Sequence, residues 1–360
     1  MTDRIDRRDF VVQSAGLVLG ALTRPATFRR PSPITDLETR LPALMTEFHV
    51  PGVSFAIIRG GALVEERGFG VKDASKRVPV DPTVMFEAAS MSKPVFAYAA
   101  LKLCERGVLD LDTPLTHYTS KRFLEGDPRL DLITARHVLT HTTGFPNWRS
   151  APEPLAITFT PGTRWSYSGE GFSYLQSVIS ELTRQPIEEY MRANIFEPFG
   201  MRSSGYVWNE TYARNMARPH DQNGMPIENK KSTPADVARY ASAGALLTTP
   251  TDYAKFMLEL INPTGPDQFR LKRSTLAQMV RPQVETHDQY NSAWGLGIAI
   301  FRTKDGEFVG HGGDNDGFHC ISLMSLPNRS GIVLMTNAEG GSYLLNKLVT
   351  GGLLASLLLS

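Results

Sequence analysis

The stretch Ala88-Ala89-Ser90-Met91-Ser92-Lys93-Pro94 runs straight into Val95–Cys104, a segment that is apolar on nearly every face except at Lys102. Serine and lysine three residues apart share one face of a helix, within hydrogen-bonding reach. Proline is tolerated only in a helix's first turn, so Pro94 puts the start at about Ser90 or Met91. The Ser90 hydroxyl then lies at the positive end of a helix inside the protein. A desolvated lysine beside that dipole has a lowered pKa and takes the serine proton. Most Ser-x-x-Lys sequences are a helix cap followed by a solvated lysine, but the apolar run after Lys93 does not suit a solvated face. No Gly-x-Ser-x-Gly elbow occurs, so an α/β-hydrolase has no anchor here.

Outward from this helix, both ends of the chain read as strands plus a flanking helix. Leu37, Leu41, Leu44, Met45 and Phe48 share a helical face, which predicts a helix over 35–48 despite Pro42. Val53–Ile58, a turn at Arg59-Gly60-Gly61, and Ala62–Phe69 predict a β-hairpin. Gly295–Arg302 with Glu307–Val309, then Phe318–Ser325 and Ile332–Thr336, predict an antiparallel meander. Tyr343–Leu359 predicts a closing helix. Between the ends, from about 90 to 261, the patterns are mainly helical, with Phe172–Thr183 and Pro186–Ile195 as two of the helices. Residues 209–238 are polar and weakly periodic, a surface excursion suited to cover a cleft. The expected fold class is therefore α/β (α+β): an antiparallel sheet flanked by N- and C-terminal helices, with a mainly helical region inserted.

The 360 residues are 41% hydrophobic and 21% charged, enough to bury a full core. A net charge of +1 without basic clusters argues against nucleic acid as the main partner. No apolar run reaches the ~20 residues of a transmembrane span. Two cysteines, Cys104 and Cys320, exclude a disulfide scaffold and a zinc–cysteine site; each sits in an apolar run and reads as a buried thiol. His137 and His141 are four apart on an expected helix, a metal-ligand spacing, but no glutamate follows His137, and no metal is assigned. At the N-terminus, Arg7-Arg8-Asp9-Phe10-Val11 precedes a mildly apolar stretch. This predicts a twin-arginine export signal and linker over 1–34, and hence a bacterial periplasmic or extracellular protein. Residues 35–360 are then one catalytic domain.

Phe86-Glu87-Ala88-Ala89-Ser90-Met91-Ser92-Lys93 resembles the active-site segment of the serine β-lactamase-related family. That family includes class C β-lactamases, DD-peptidases, D-aminopeptidases and esterases. Further motifs resemble it in order. They are Gly107–Asp112, Leu139-Thr140-His141-Thr142-Thr143-Gly144, Tyr167-Ser168-Gly169, Phe196–Met201, Gly244–Asp252 and His311-Gly312-Gly313. The resemblance covers about 36–360.

The resemblance implies a β-lactamase/DD-peptidase-like fold and a serine hydrolase without a cofactor. Its substrate is a small molecule or short peptide: a small ester, a D-amino-acid-type amide or a β-lactam. By the same resemblance, Ser90 attacks a carbonyl and becomes acylated, and Lys93 assists removal of its proton. Tyr167 is the second proton-transfer group, its pKa lowered by the nearby Lys93 charge. His311 polarises the Tyr167 hydroxyl or binds a substrate carboxylate. The backbone N–H groups of Ser90 and Asp314 form the oxyanion hole. Gly312 and Gly313 let the strand pass close to the substrate, and Trp148 lines the cleft. The family's asparagine after the tyrosine, which binds substrate amides, is Gly169 here. That loss favours small esters or D-amino-acid-type amides over β-lactams. The alternatives are a penicillin-binding protein that is acylated but deacylates slowly, and a non-catalytic structural member of the family.

Overall fold

The computed structural model describes residues 32–149, 153–287 and 292–360. All but the last three residues of the expected export segment, 1–34, lie outside them. The helices are α1 (Pro33–Glu47), α2 (Ser92–Glu105), α3 (Ala135–Leu139), α4 (Gly169–Thr183), α5 (Ile187–Met191), α6 (Glu210–Asn215), α7 (Pro234–Gly244), α8 (Pro250–Ile261), α9 (Arg273–Val280), α10 (Gly341–Thr350) and α11 (Leu353–Leu359). The strands are β1 (Gly52–Arg59), β2 (Ala62–Asp73), β3 (Val78–Pro79), β4 (Phe86–Ala89), β5 (Leu246–Thr248), β6 (Val284–Glu285), β7 (Ala293–Trp294), β8 (Ala299–Thr303), β9 (Gly306–Asn315), β10 (Phe318–Ser325) and β11 (Ser330–Thr336).

Among the described residues, nine strands form one antiparallel sheet in the order β3-β2-β1-β11-β10-β9-β8-β7-β6. The two chain ends meet at its centre, where β1 pairs with β11 from Val53↔Thr336 to Ile58↔Gly331. Both strands are buried on both faces, so alternation sorts their side chains into two cores. Phe55, Ile57, Ile332 and Leu334 pack with Leu37 and Leu41 of α1 and Leu344, Leu348, Leu354 and Leu357 of the C-terminal helices. Ala56, Ile58, Val333 and Met335 face the larger core around α2, α4 and α8. The expected α/β fold with an inserted helical region is thus the one observed.

Two elements differ from expectation. The closing helix is two helices, bent by 57° at Gly351-Gly352, and its buried leucines belong to the outer core. No single helix among the described residues is long and apolar enough to cross a membrane. The helix expected to carry both His137 and His141 ends at Leu139, and His141 lies beyond it at φ +56. The two imidazoles therefore do not share a helical face. Both cysteines are free: Cys320 is buried and its thiol donates to the Glu87 carbonyl, while Cys104 is only half-buried. Burial pushes the Cys104 thiol up to about 12.

Ser90 is delivered by a second, small sheet in which β4 pairs with β5. β4 ends at Ala89, a buried alanine at φ +46, and the chain turns there into α2. An L-residue held left-handed marks a local conformation that the surroundings impose. The constraint is visible: Ser92 donates its hydroxyl to the Ala89 carbonyl at 2.6 Å and accepts the Leu246 N–H at 3.0 Å. Tyr253 donates to the Met91 carbonyl at 3.1 Å.

β9 passes hard against this turn. A Cβ on Gly313 would lie 2.2 Å from the Ala88 carbonyl oxygen, whereas one on Gly312 meets nothing closer than 3.8 Å. Gly313 therefore admits the nucleophile's own backbone, and Gly312 is exposed with room to spare. Gly313→Ala is expected to cost about 1–3 kcal/mol by overpacking and to lower the melting temperature, while Gly312→Ala leaves it within the range of a neutral surface change. Thermal unfolding of the two variants side by side checks this.

Candidate active site

Four of the expected residues meet where α2, α4 and β9 converge. Ser90 precedes α2, whose N-cap is Met91, so the hydroxyl sits just outside the helix's positive end. Lys93, in the first turn, is fully buried. Its Nζ lies 3.2 Å from Ser90 Oγ and donates to the Ala243 carbonyl of α7 at 2.7 Å. The same nitrogen lies 4.8 Å from the Tyr167 ring centre and 5.6 Å from that of Phe172. Among the described residues no carboxylate contributes to its environment, and burial alone lowers its pKa to about 7. Nζ donates to both the Ala243 carbonyl and Ser90 Oγ; once it loses a proton, an amine can keep an N–H for the carbonyl and offer its lone pair to the hydroxyl.

Tyr167 lies just ahead of α4, whose N-cap is Ser168. It shares a side-chain hydrogen bond with Ser90. Burial raises its pKa, and that bond offsets only part of the rise. This corrects the expectation that the Lys93 charge would depress the phenol. Burial acts on both groups and moves each towards its neutral form, so the phenol stays neutral and the amine is brought into the range where it exchanges its proton near pH 7.

His311 comes from β9 and is buried. Its ring centre is 6.1 Å from that of Tyr167 and 5.4 Å from that of Trp294. Burial, with Lys93 as a lesser cause, lowers its pKa to about 3. Nδ1 faces the Gly312 carbonyl, which can only accept, so Nδ1 carries the proton and Nε2 the lone pair. A neutral imidazole supplies no fixed positive charge for a substrate carboxylate.

His141 is the residue whose part the sequence did not reveal. Its carbonyl accepts the Ser166 N–H at 2.8 Å, and its Nδ1 accepts the Ser168 N–H at 3.0 Å. Its ring lies 4.2 Å from the Tyr167 ring, centre to centre. The residues on both sides of Tyr167 are thus tied to one buried histidine that also packs against its face. Burial drives His141 well below the ordinary histidine range and keeps the Nδ1 lone pair available. His137 does a different job, closing a capping box with Thr134.

A cleft of about 520 Å³ lies alongside; Ser90, Lys93, Tyr167 and His311 are not among its lining residues, but several of their neighbours are. Its lining includes Glu87 ahead of the nucleophile, Gly244 and Ala245 after the Ala243 carbonyl, and Asp314 and Asn315 after Gly313. Glu228–Ser232 form another wall, so part of the polar 209–238 excursion does border the cleft. Trp148 is among its lining residues. Gly169 lies beneath that indole. The Asp314 carboxylate is directed to His319 at 2.6 Å and is largely exposed.

This architecture belongs to a known class. The Beta-lactamase family profile matches residues 37–348, and the chain belongs to that family of β-lactamase- and penicillin-binding-protein-like serine hydrolases. Among relatives, "Putative penicillin-binding protein PbpX" of Bacillus subtilis (strain 168) is 27% identical over 303 residues, covering 80% of this chain and 71% of the relative. "Protein flp" of Staphylococcus aureus (strain MRSA252) is 22% identical, covering 80% of this chain but only 60% of its own length. The octameric penicillin-binding protein homologue from Pyrococcus abyssi superposes with a TM-score of 0.75 at 24% identity, covering 88% of this chain and 77% of that one. The β-lactamase/D-alanine carboxypeptidase from Yersinia pestis, complexed with citrate, gives 0.74 at 18%, covering 90% and 98%. At these identities the two structures establish the fold.

His141→Phe keeps a ring against Tyr167 but strands the Ser168 N–H. An unpaired buried donor costs about 1–3 kcal/mol, so denaturant unfolding of this variant is expected to show a midpoint lowered accordingly. His141→Asn restores an acceptor and should recover part of the loss.

Proposed function

We propose that the protein is a serine hydrolase that works through an acyl-enzyme on small esters or D-amino-acid-type amides. The observation that carries this reading is the 3.2 Å approach of a fully buried Lys93 amine to the Ser90 hydroxyl. A lysine held near a pKa of 7 is half in its basic form at neutral pH. In the proposed sequence, Lys93 Nζ takes the Ser90 proton as Oγ bonds to the substrate carbonyl carbon. The resulting oxyanion accepts hydrogen bonds from the backbone N–H groups of Ser90 and Asp314. The neutral Tyr167 phenol gives its proton to the leaving group as the acyl–leaving-group bond breaks, and the lysine ammonium restores that proton. Water then attacks the Ser90 ester by the same transfers in reverse, releasing the acid and free serine.

Two further features bear on the substrate. The imidazole of His311 is neutral, and Gly169 offers no side chain to hydrogen-bond an amide. Both fit small neutral esters better than carboxylate-bearing β-lactams. We also propose, from Arg7-Arg8 and the stretch after them, that the protein acts outside the cytoplasm.

Hydrolysis of p-nitrophenyl acetate and butyrate tests the reading. Turnover should disappear in Ser90→Ala and fall at least ~10²-fold in Lys93→Ala, the range of a general base. A stoichiometric burst without turnover would instead support a slowly deacylating penicillin-binding protein, and turnover surviving Ser90→Ala would overturn the assignment.

The pH profile gives a separate check. Lys93 must lose its proton to act, so kcat/KM should rise with pH through about 7 on its acidic limb. A limb that sits instead in the carboxylate range would exclude Lys93 as the base.

A further inference from the structure

Trp148 is held more firmly than a half-exposed surface tryptophan needs to be. On one side, the Asn147 carbonyl accepts the N–H groups of both Gly169 and Glu170 at 3.0 Å, and Asn147 Oδ1 also accepts from Gly169. On the other side, Arg149 makes a two-pronged ion pair with the buried Glu170, and its own N–H donates to the same carboxylate at 3.1 Å. Both neighbours of Trp148 are therefore fixed to the first turn of α4, which begins two residues after Tyr167.

The indole lies flat over the first residue of that turn. A Cβ on Gly169 would fall 2.6–2.8 Å from three atoms of the Trp148 six-membered ring. Any side chain at 169 would displace the indole, so the glycine and the tryptophan occupy one space between them. Trp148 as a whole remains 40% exposed and lines the cleft. Tyr240 of α7 meets it edge-on, with ring centres 5.3 Å apart at 87°. The Arg239 guanidinium lies over the Tyr240 ring at 4.8 Å. Ala245 and Leu247 add apolar surface to a lining that is otherwise largely polar and charged. The pair of rings is attached to the reaction centre at both ends: through α4 to Tyr167, and through α7 to the Ala243 carbonyl that takes Lys93.

A preorganised flat apolar wall binds a flat apolar group with little ordering cost, and aromatic pairs gain beyond the area they bury. The cleft volume suits a small molecule. We infer that Trp148, backed by Gly169 and braced by Tyr240, is the specificity-determining wall, and that the site selects substrates bearing an aromatic ring. This rests on the serine hydrolase reading for its chemistry, but the wall itself is a binding feature and is testable without turnover.

The test uses two matched substrate pairs followed by pH-stat titration. Ethyl phenylacetate against ethyl cyclohexylacetate probes the acyl side, and benzyl acetate against cyclohexylmethyl acetate probes the alcohol side. In the unaltered protein, at least one pair should show a tenfold or greater preference in kcat/KM for the aromatic member. In Trp148→Ala that ratio should fall to within about twofold of unity. Gly169→Ala, which keeps the indole but pushes it off its seat, should lower the ratio as well. The same pairs titrated calorimetrically into Ser90→Ala read the wall with the chemistry removed. Absence of an aromatic preference in binding, or a preference that survives Trp148→Ala, overturns the inference. An aromatic preference in binding that vanishes with Trp148, in a protein that hydrolyses none of the esters, would uphold the wall and overturn the hydrolase reading instead.

Discussion

Burial of the Lys93 amine is the constraint around which the rest of the site is arranged. Leaving an ammonium unpaired in an apolar interior is costly, and a lysine in that position gives up its proton instead. The surroundings enforce this. The approach to Nζ is made by the Ala243 carbonyl, the Ser90 hydroxyl and the faces of Tyr167 and Phe172. A carboxylate in their place would hold the ammonium charged and leave Ser90 without a base. The nearby histidines follow the same logic: His141 and His311 are both held neutral by burial, with Lys93 adding to the effect. A neutral phenol and two neutral imidazoles thus surround an amine that burial brings to about 7, so that it exchanges its proton near neutral pH.

The fold serves this arrangement through three close backbone approaches. Ala89 turns the chain left-handed so that Ser90 leaves β4 and stands before α2. Gly313 lets β9 slide against the Ala88 carbonyl and brings His311 and Asp314 alongside. The two halves of the clamp on Tyr167 come from His141, itself left-handed at φ +56. Of the seven left-handed non-glycine residues among the described residues, two stand here, Ala89 before Ser90 and His141 at the tyrosine clamp, each held by its surroundings.

Most of the architecture was legible because burial leaves a periodic mark. The apolar character of Val53–Ile58 and Ile332–Thr336 predicts strands, and the all-round apolar surface of Val95–Cys104 predicts an internal helix. Pro94 locates the helix start to within a residue or two. What escaped was set by contacts distant in sequence. Nothing local announces that Ala243 would receive Lys93, or that His141 would bracket Tyr167 from 26 residues away. The helix expected through His137 and His141 stops early because Thr140 and His141 turn the chain so that His141 can reach Ser166 and Ser168. The direction of the Tyr167 shift escapes for a related reason. A sequence shows that a lysine is near, but only packing shows whether that lysine still carries charge.

Gly169 illustrates how an apparent deletion can be half of a substitution. Read alone, it removes a polar side chain from the cleft. In the folded chain the space is filled by the Trp148 indole, and the glycine is what allows it to be there. The change replaces a hydrogen-bonding group with an apolar face, at a point two residues from Tyr167. Combined with an uncharged His311, it is the basis of the proposed shift in recognition from amide and carboxylate groups towards flat apolar surface. The proton-transfer centre is untouched by this exchange, since neither Trp148 nor Gly169 contacts Lys93 through any of the bonds that hold it. In the proposed reading, chemistry and selectivity are therefore separable: the buried amine would set the reaction, and the indole wall what is presented to it.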